Sequence, residues 1–203
     1  DVPCGHKHDH DTHEPDSDHS HDHPHRHAHG RNLADINHLI ENSELSASVK
    51  EKSKKIFLNL AQAEAKIHNK KVEEIHFHEV GAVDAIVDIV GAVIGLELLD
   101  VDRIFASRLH TGTGFVNCEH GKMPVPAPAT MELLKGIPVY STGIEKELVT
   151  PTGAAIITTL AEDFGPRPQI QVEKTGYGAG GYELEIPNLL RINLGQVKSQ
   201  KKN

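Results

Sequence analysis

Residues 76–99 read HFHEVGAVDAIVDIVGAVIGLELL. From about Gly81 to Leu98 this stretch is apolar on nearly every side. That pattern predicts a helix buried at the centre of the domain rather than a two-faced surface helix. Asp84, Asp88 and Glu97 interrupt the run, and charges of that kind are costly inside a bilayer, so a membrane span is the poorer reading. Asp84, Asp88, Gly91 and Gly95 stand at i, i+4, i+7 and i+11 and therefore share one helix face. Two carboxylates lead into two glycines, where another backbone or a ligand can come close.

Working outward, residues 32–42 (NLADINHLIEN) read as a short helix. Ser48 and Glu51 form a capping box for the next, which is expected to run to about His68 and to end at Asn69. Val49, Ile56, Leu60, Ala63 and Ile67 make its apolar stripe, with Lys50, Lys52, Lys54 and Lys55 mostly off it. Beyond Asp100 the pattern changes. Val101 to Leu109 alternates weakly like a strand, 111–114 is a turn, and Phe115 to Cys118 a second strand. PVPAP (124–128) is a stiff extended segment. Ala129 to Leu134 is a short helix stopped by Gly136, and Val139 to Ser141 a strand. Thr150 caps a helix that opens with Pro151 and is expected to reach about Phe164. Strands at 169–174 and 189–194 flank a glycine-rich 176–181, read as a hairpin or a loop over a ligand. The fold class expected is α+β: a helical N-terminal half around a central buried helix, then a mixed α/β half.

The chain has 203 residues, a formal net charge of -8 and 16 histidines. Ten of those histidines fall in the first thirty residues: His6, His8, His10, His13, His19, His21, His23, His25, His27 and His29. Mostly alternate spacing, with acids between, lets a flexible backbone gather several imidazoles around one ion, and neutral imidazole favours nickel, copper and zinc. Residues 1–30 have nothing with which to build a core and are expected to be disordered without metal. An affinity tag would be an uninterrupted run. A solvated linker with incidental metal affinity stays open. Residues 31–195 form the ordered domain, and 196–203 a frayed basic tail. The acidic charge, scarce aromatics and absent Trp argue against a nucleic-acid partner. Two cysteines, Cys4 and Cys118, make no disulfide framework and fit a reducing cytoplasm. The chain begins at Asp1, not Met, and reads as a fragment.

Four constellations could carry chemistry. His76, His78 and Glu79, followed by Asp84 and Asp88, supply two imidazoles and three carboxylates, a donor set for zinc, nickel, manganese or iron. The plain alternative is two surface histidines beside a helix start, with Asp84 balancing the dipole. Cys118 and His120 form a weak Cys-x-His pair. Thr150, Thr152 and Gly153 open a helix whose free N–H groups suit a phosphate or carboxylate, though an ordinary cap explains the pattern as well. The 176–181 glycines lack the strand-then-helix setting of a dinucleotide loop. No Walker motif, G-x-S-x-G or Cys-x-x-Cys occurs.

Longer strings go further. HFHEVGAVDAIVDIVGAVIGLELL (76–99), GKMPVPAPATMELLKGIPVY (121–140), ELVTPTGAA (147–155) and the stretch from KTGYGAGG (174–181) to PNLLRINLG (187–195) resemble the LarC family, the nickel-insertion proteins of lactate racemase activation. The resemblance covers about 31–195, and the family carries a His-rich insertion where residues 1–30 stand. It implies a lyase-class nickel chelatase. Nickel enters a pyridinium mononucleotide bearing two thiocarboxylates and is held by two sulfurs and a ring carbon. CTP with magnesium or manganese is consumed, and the nickel-pincer cofactor passes to the racemase apoprotein. The family's N-terminal strand and its C-terminal nucleotide-binding domain have no counterpart here.

Forming a nickel–carbon bond requires loss of a ring proton. Glu79, Asp84 and Asp88 are the candidate bases, His76, His78 and His120 the candidate nickel ligands, and Thr150, Thr152 and Gly153 the candidate seat for the nucleotide. Two other readings compete: a nickel store or metallochaperone working through its tail alone, and a magnesium-dependent phosphohydrolase using the carboxylates. Homo-oligomerisation is left open, and no membrane partner is expected.

Overall fold

The computed structural model describes residues 30–77, 83–118 and 121–197. Among the described residues five α-helices are present: α1 (Leu33–Glu41), α2 (Ala47–His68), α3 (Val83–Leu98), α4 (Pro128–Leu133) and α5 (Pro151–Leu160). Eight strands pair two by two: β1 (Phe105–Ala106), β2 (Leu109–His110), β3 (Phe115–Cys118), β4 (Gly121–Pro124), β5 (Val139–Tyr140), β6 (Asp163–Phe164), β7 (Ile170–Ala179) and β8 (Leu189–Val197). Pairs β1–β6 and β2–β5 are parallel; β3–β4 and β7–β8 are antiparallel hairpins. The α+β class holds.

The central helix is α2, not the apolar helix at 83–98. Val49, Ser53, Ile56, Phe57, Leu60, Ala61, Ala63 and Ala65 of α2 are all buried. At about 100° per residue these positions sweep roughly 200° of the helix circumference. Helices α1, α3, α4 and α5 all pack against it. On α3 only Ala85, Ile89 and Val93 are buried, while Val83 and Val87 are each 62% exposed. Mean hydropathy misplaced α3 because it ignores which neighbours exist. Among the described elements α3 packs mainly against α2 and α5, so one face is covered and much of the rest is open.

Capping fixes the helix ends. Asn32 and Asp35 form a reciprocal box at α1, with Asp35 N–H donating to Asn32 Oδ1 at 2.9 Å and Asn32 N–H to the Asp35 carboxylate at 3.1 Å. Helix α2 is capped by Ser46 rather than by the expected Ser48. Ser46 Oγ accepts from Val49 N–H at 3.1 Å and donates to Glu97 at 2.6 Å, so one hydroxyl starts α2 and ties it to the end of α3. At the far end Asn69 adopts the left-handed conformation, φ 50°, which Asn tolerates better than most residues. Ile67, placed on the apolar stripe by spacing, lies in the last turn of α2 and is 41% exposed.

In the second half the single strand expected at 101–109 is two short ones. β1 pairs with β6 and β2 with β5, so the chain changes partners at 107–108. Helix α5 stops at Leu160, earlier than Phe164, and residues 163–164 become β6. Gly112 has a positive φ, and a Cβ there would collide with the Lys146 backbone carbonyl. Only glycine lets the 111–114 loop lie against residues 144–148, where Thr113 N–H donates to the Ile144 carbonyl at 2.8 Å. Four of the 176–181 residues belong to strand β7, Gly176 to Ala179, paired with 189–192. The hairpin reading was right, and its loop lies further on.

Ion pairs link the elements from outside. Glu132 of α4 accepts from Lys135 at 2.5 Å and from Lys66 of α2 at 2.6 Å. Arg103 grips Glu162 through two bonds of 2.6 and 2.7 Å, bridging the starts of β1 and β6.

The packing and the ion pairs can each be tested by substitution. Leu60→Ala should cost about 2–5 kcal/mol in urea unfolding, because a fully buried leucine leaves a cavity. Ser53→Ala should be neutral or stabilising by up to about 1 kcal/mol, since its buried hydroxyl has no partner among the described residues. A loss above about 2 kcal/mol for Ser53→Ala would mean that the hydroxyl is bonded. The ion-pair test concerns acid. Lys135 first, then Lys66, hold the Glu132 carboxyl below its ordinary value of 4.5. Its stabilisation is therefore present above that value and lost as pH falls through the lowered one. Glu132→Gln should flatten the fall of Tm below about pH 4.5, and an unchanged acid slope would exclude the pair as a contributor.

Candidate functional site

The sequence-derived cluster begins at His76. Residues 75–77 are extended, with Ile75 and Phe77 buried and His76 exposed between them. Phe77 meets Phe57 of α2 edge-on, centroids 6.3 Å apart. Phe77 N–H donates to the Arg31 carbonyl at 3.0 Å, and Asn32 bridges to His76 in antiparallel sense. His76 Nδ1 donates to the Gly30 carbonyl at 3.1 Å. That bond assigns the proton to Nδ1 and leaves the Nε2 lone pair outward, the arrangement in which a histidine ligates metal. Gly30 closes the His-rich tract, so the root of the tract is hydrogen-bonded to His76.

Asp84 and Asp88 are exposed, as is Gly91. Burial therefore gives no reason to expect partners for these carboxylates, contrary to the reading of a buried helix. Asp84 sits in the first turn of α3, where a carboxylate complements the helix dipole. A Cβ on Gly91 or Gly95 would meet nothing within 4 Å. The carboxylate–glycine face is open ground, not a close packing seam. His78, Glu79 and His120 lie outside the described residues, as do His6, His8, His10, His13, His19, His21, His23, His25, His27 and His29. Among the described residues no three His, Cys, Asp or Glu side chains gather as a metal cage.

At the start of α5 the cap is largely self-satisfied. Thr150 Oγ1 accepts from Gly153 N–H at 3.1 Å, and the Thr150 carbonyl accepts from Ala154 N–H at 2.9 Å. Pro151 has no N–H and the cap takes that of Gly153, so the turn keeps fewer spare backbone donors than an uncapped helix start. An anion would find fewer N–H groups there than the expectation of an anion seat supposed.

A different group, not singled out from sequence, is assembled by the parallel pairing. His110 and Tyr140 are register partners. Their rings stack at 4.6 Å and 12°. His110 Nε2 accepts from Thr142 N–H at 3.3 Å and lies 3.0 Å from the Thr142 hydroxyl. The Arg108 guanidinium lies 5.3 Å from the Tyr140 centroid. Beside them runs a groove of about 510 Å³ lined by Ser107, Arg108, Pro138, Tyr140, Phe164 and the Gly165–Pro166 turn. No local motif marks these residues; strand pairing across the sequence gathers them. A second hollow of about 430 Å³, between α1 and α2, is taken up by its own Lys54–Glu41 ion pair.

No described helix is long and apolar enough to cross a membrane. No solved structure matches the chain. The family model described as nickel insertion protein matches residues 2–203. A protein of Desulfitobacterium hafniense named pyridinium-3,5-bisthiocarboxylic acid mononucleotide nickel insertion protein is 58% identical over 172 residues, 85% of this chain and 43% of the relative. Proteins of the same name from Acetivibrio thermocellus and Clostridium kluyveri are 53% identical over 174 residues and 51% over 172, again 85% of this chain and 43% of each relative. The chain thus spans less than half the length of these curated relatives. On the family match and these identities together, the chain belongs to the nickel insertion protein family.

Proposed function

We propose that, within the complete protein, this chain takes part in inserting nickel into pyridinium-3,5-bisthiocarboxylic acid mononucleotide. The observation that carries the reading is the identity of more than half of the aligned residues with relatives named for that substrate. The reaction is a lyase-class chelation in the cytoplasm, driven by CTP with magnesium or manganese, and its nickel-pincer product serves the lactate racemase apoprotein. Nickel is the cargo. Residues 6–29 collect it through imidazoles. His76, rooted to the end of the tract through Gly30, receives it with His78 and His120.

The chemistry asks for one proton acceptor. Nickel replaces a ring hydrogen, so a C–H bond breaks, a nickel–carbon bond forms, and the proton leaves to a base. Two thiocarboxylate sulfurs complete the hold on the metal. Glu79, Asp84 and Asp88 are the proposed bases, and the exposure of Asp84 and Asp88 keeps them accessible to a bound nucleotide. Thr152 N–H, with Thr150 and Gly153 shaping its turn, is a proposed contact for an acidic group of the nucleotide.

The complete protein should convert the sulfur-bearing precursor, nickel and CTP into a metallated product detected by mass. Asp88→Asn and His78→Gln should keep a near-normal Tm and lose at least about tenfold in product, the scale of a lost base or ligand. Two fully active variants would remove the cluster from the mechanism. Deleting residues 1–30 should leave the yield intact when nickel is plentiful and lower it when nickel is scarce. Loss of all product at high nickel would favour a nickel store over an inserter.

A further inference from the structure

The groove beside Tyr140 has a chemistry of its own. Its lining brings one cation, Arg108, one hydroxyl, Ser107, the rings of Tyr140 and Phe164, and two prolines, with no carboxylate among them. Arg103, five residues before Arg108, is held bidentately by Glu162. Arg108 has no such acid among the described residues and rests on the Tyr140 ring instead. A guanidinium parked on an aromatic face keeps its N–H fork free for a planar or tetrahedral anion. Tyr140 is in turn steadied by His110, which the Thr142 backbone fixes. The C-terminal ends of β1 and β6 open toward the same groove, the end of parallel strands at which ligands collect.

We propose that this groove seats the pyridinium mononucleotide, with Arg108 on its phosphate and the aromatic side chains against its ring. The fit is to a ligand of mixed charge. A cationic pyridinium ring is attracted to the face of an aromatic side chain, and a phosphate to a guanidinium fork. A groove without carboxylates repels neither the phosphate nor the two thiocarboxylates. The assignment rests on the substrate reading above, and it gives the phosphate to Arg108 while leaving the α5 turn to another acidic group of the nucleotide.

The test uses calorimetry on the complete protein, with nicotinic acid mononucleotide as a phosphate-bearing pyridinium probe and its riboside as the phosphate-free one. Arg108→Gln should weaken the mononucleotide at least about tenfold, the effect of losing a charge-assisted bidentate contact, and change the riboside less than about twofold. Tyr140→Ala should weaken both probes. Arg191→Gln, on the exposed β8 strand, should change neither. Each variant's Tm is measured alongside, and Arg108, being exposed, should be replaceable without loss of fold. Mononucleotide binding within twofold of the parent protein for Arg108→Gln would overturn the groove as the seat and leave the nickel-insertion reading standing on its mass assay. A parent protein that binds neither probe, and yields no metallated product from the true precursor, would overturn both.

Discussion

The helical core of the chain hangs on the burial of one helix. Ile56, Phe57 and Leu60 of α2 have no exposed surface, and each contributes on the order of 1.5–3 kcal/mol by leaving water. Around them close α1, α3, α4 and α5, and Phe77 reaches in from the segment that carries His76. The polar links are secondary but directional. Ser46 joins α2 to Glu97 of α3, Asn59 donates to Thr159 of α5 at 2.8 Å, and Lys66 reaches Glu132 of α4. Each sets where a helix lies along α2 more than whether it stays.

That arrangement also explains how the end of the His-rich tract, at Gly30, is tied to an ordered domain. Residues 30–32 lie against 75–77 through the Arg31 carbonyl, the Asn32 bridge and the Gly30–His76 bond. The flanking Ile75 and Phe77 are sunk in the α2 core, so the root of the tract and His76 are held by the same burial. His76, proposed above as a nickel ligand, is thus held in place by the fold rather than by the tract.

Much of the frame was legible in the sequence, and the failures have physical causes. Asn32, Asn69, Thr150 and Gly136 act locally, through caps and positive φ, so helix ends could be read from a few residues. The hairpin strands β3, β7 and β8 were near expectation because adjacent strands need only a turn. The depth of α3 was misread, since apolar composition reports what a helix tolerates and not what covers it. Val83 and Val87 lie exposed where a buried helix was expected. Ser46 was missed as a cap because Ser48 and Glu51 match the box pattern on paper, whereas Ser46 has Val49 three residues on. Of the candidate residues, His76, Asp84 and Asp88 were singled out by spacing, with the burial of both aspartates overestimated. Arg108, His110 and Tyr140 were not found at all, because β2 meets β5 across some thirty residues and nothing in either segment announces the other.

That long-range pairing has a kinetic side. One wall of the groove is Ser107 and Arg108, the other Phe164, and their numbers differ by 57 (164 minus 107). The span between them holds the β3–β4 hairpin, α4, β5 and α5. Closing so long a loop carries an entropic cost that only later contacts offset, and two-residue parallel ladders offset little of it by themselves. Of the helices around α2, α1 and α3 lie near it in sequence, whereas α4 and α5 reach it across 66 and 100 residues, through Lys66–Glu132 and Asn59–Thr159. The α1–α2–α3 part should therefore assemble first, as local topology generally does. The groove closes later, with α4 and α5. A nascent chain would gather its first three helices well before β1 and β6 could meet.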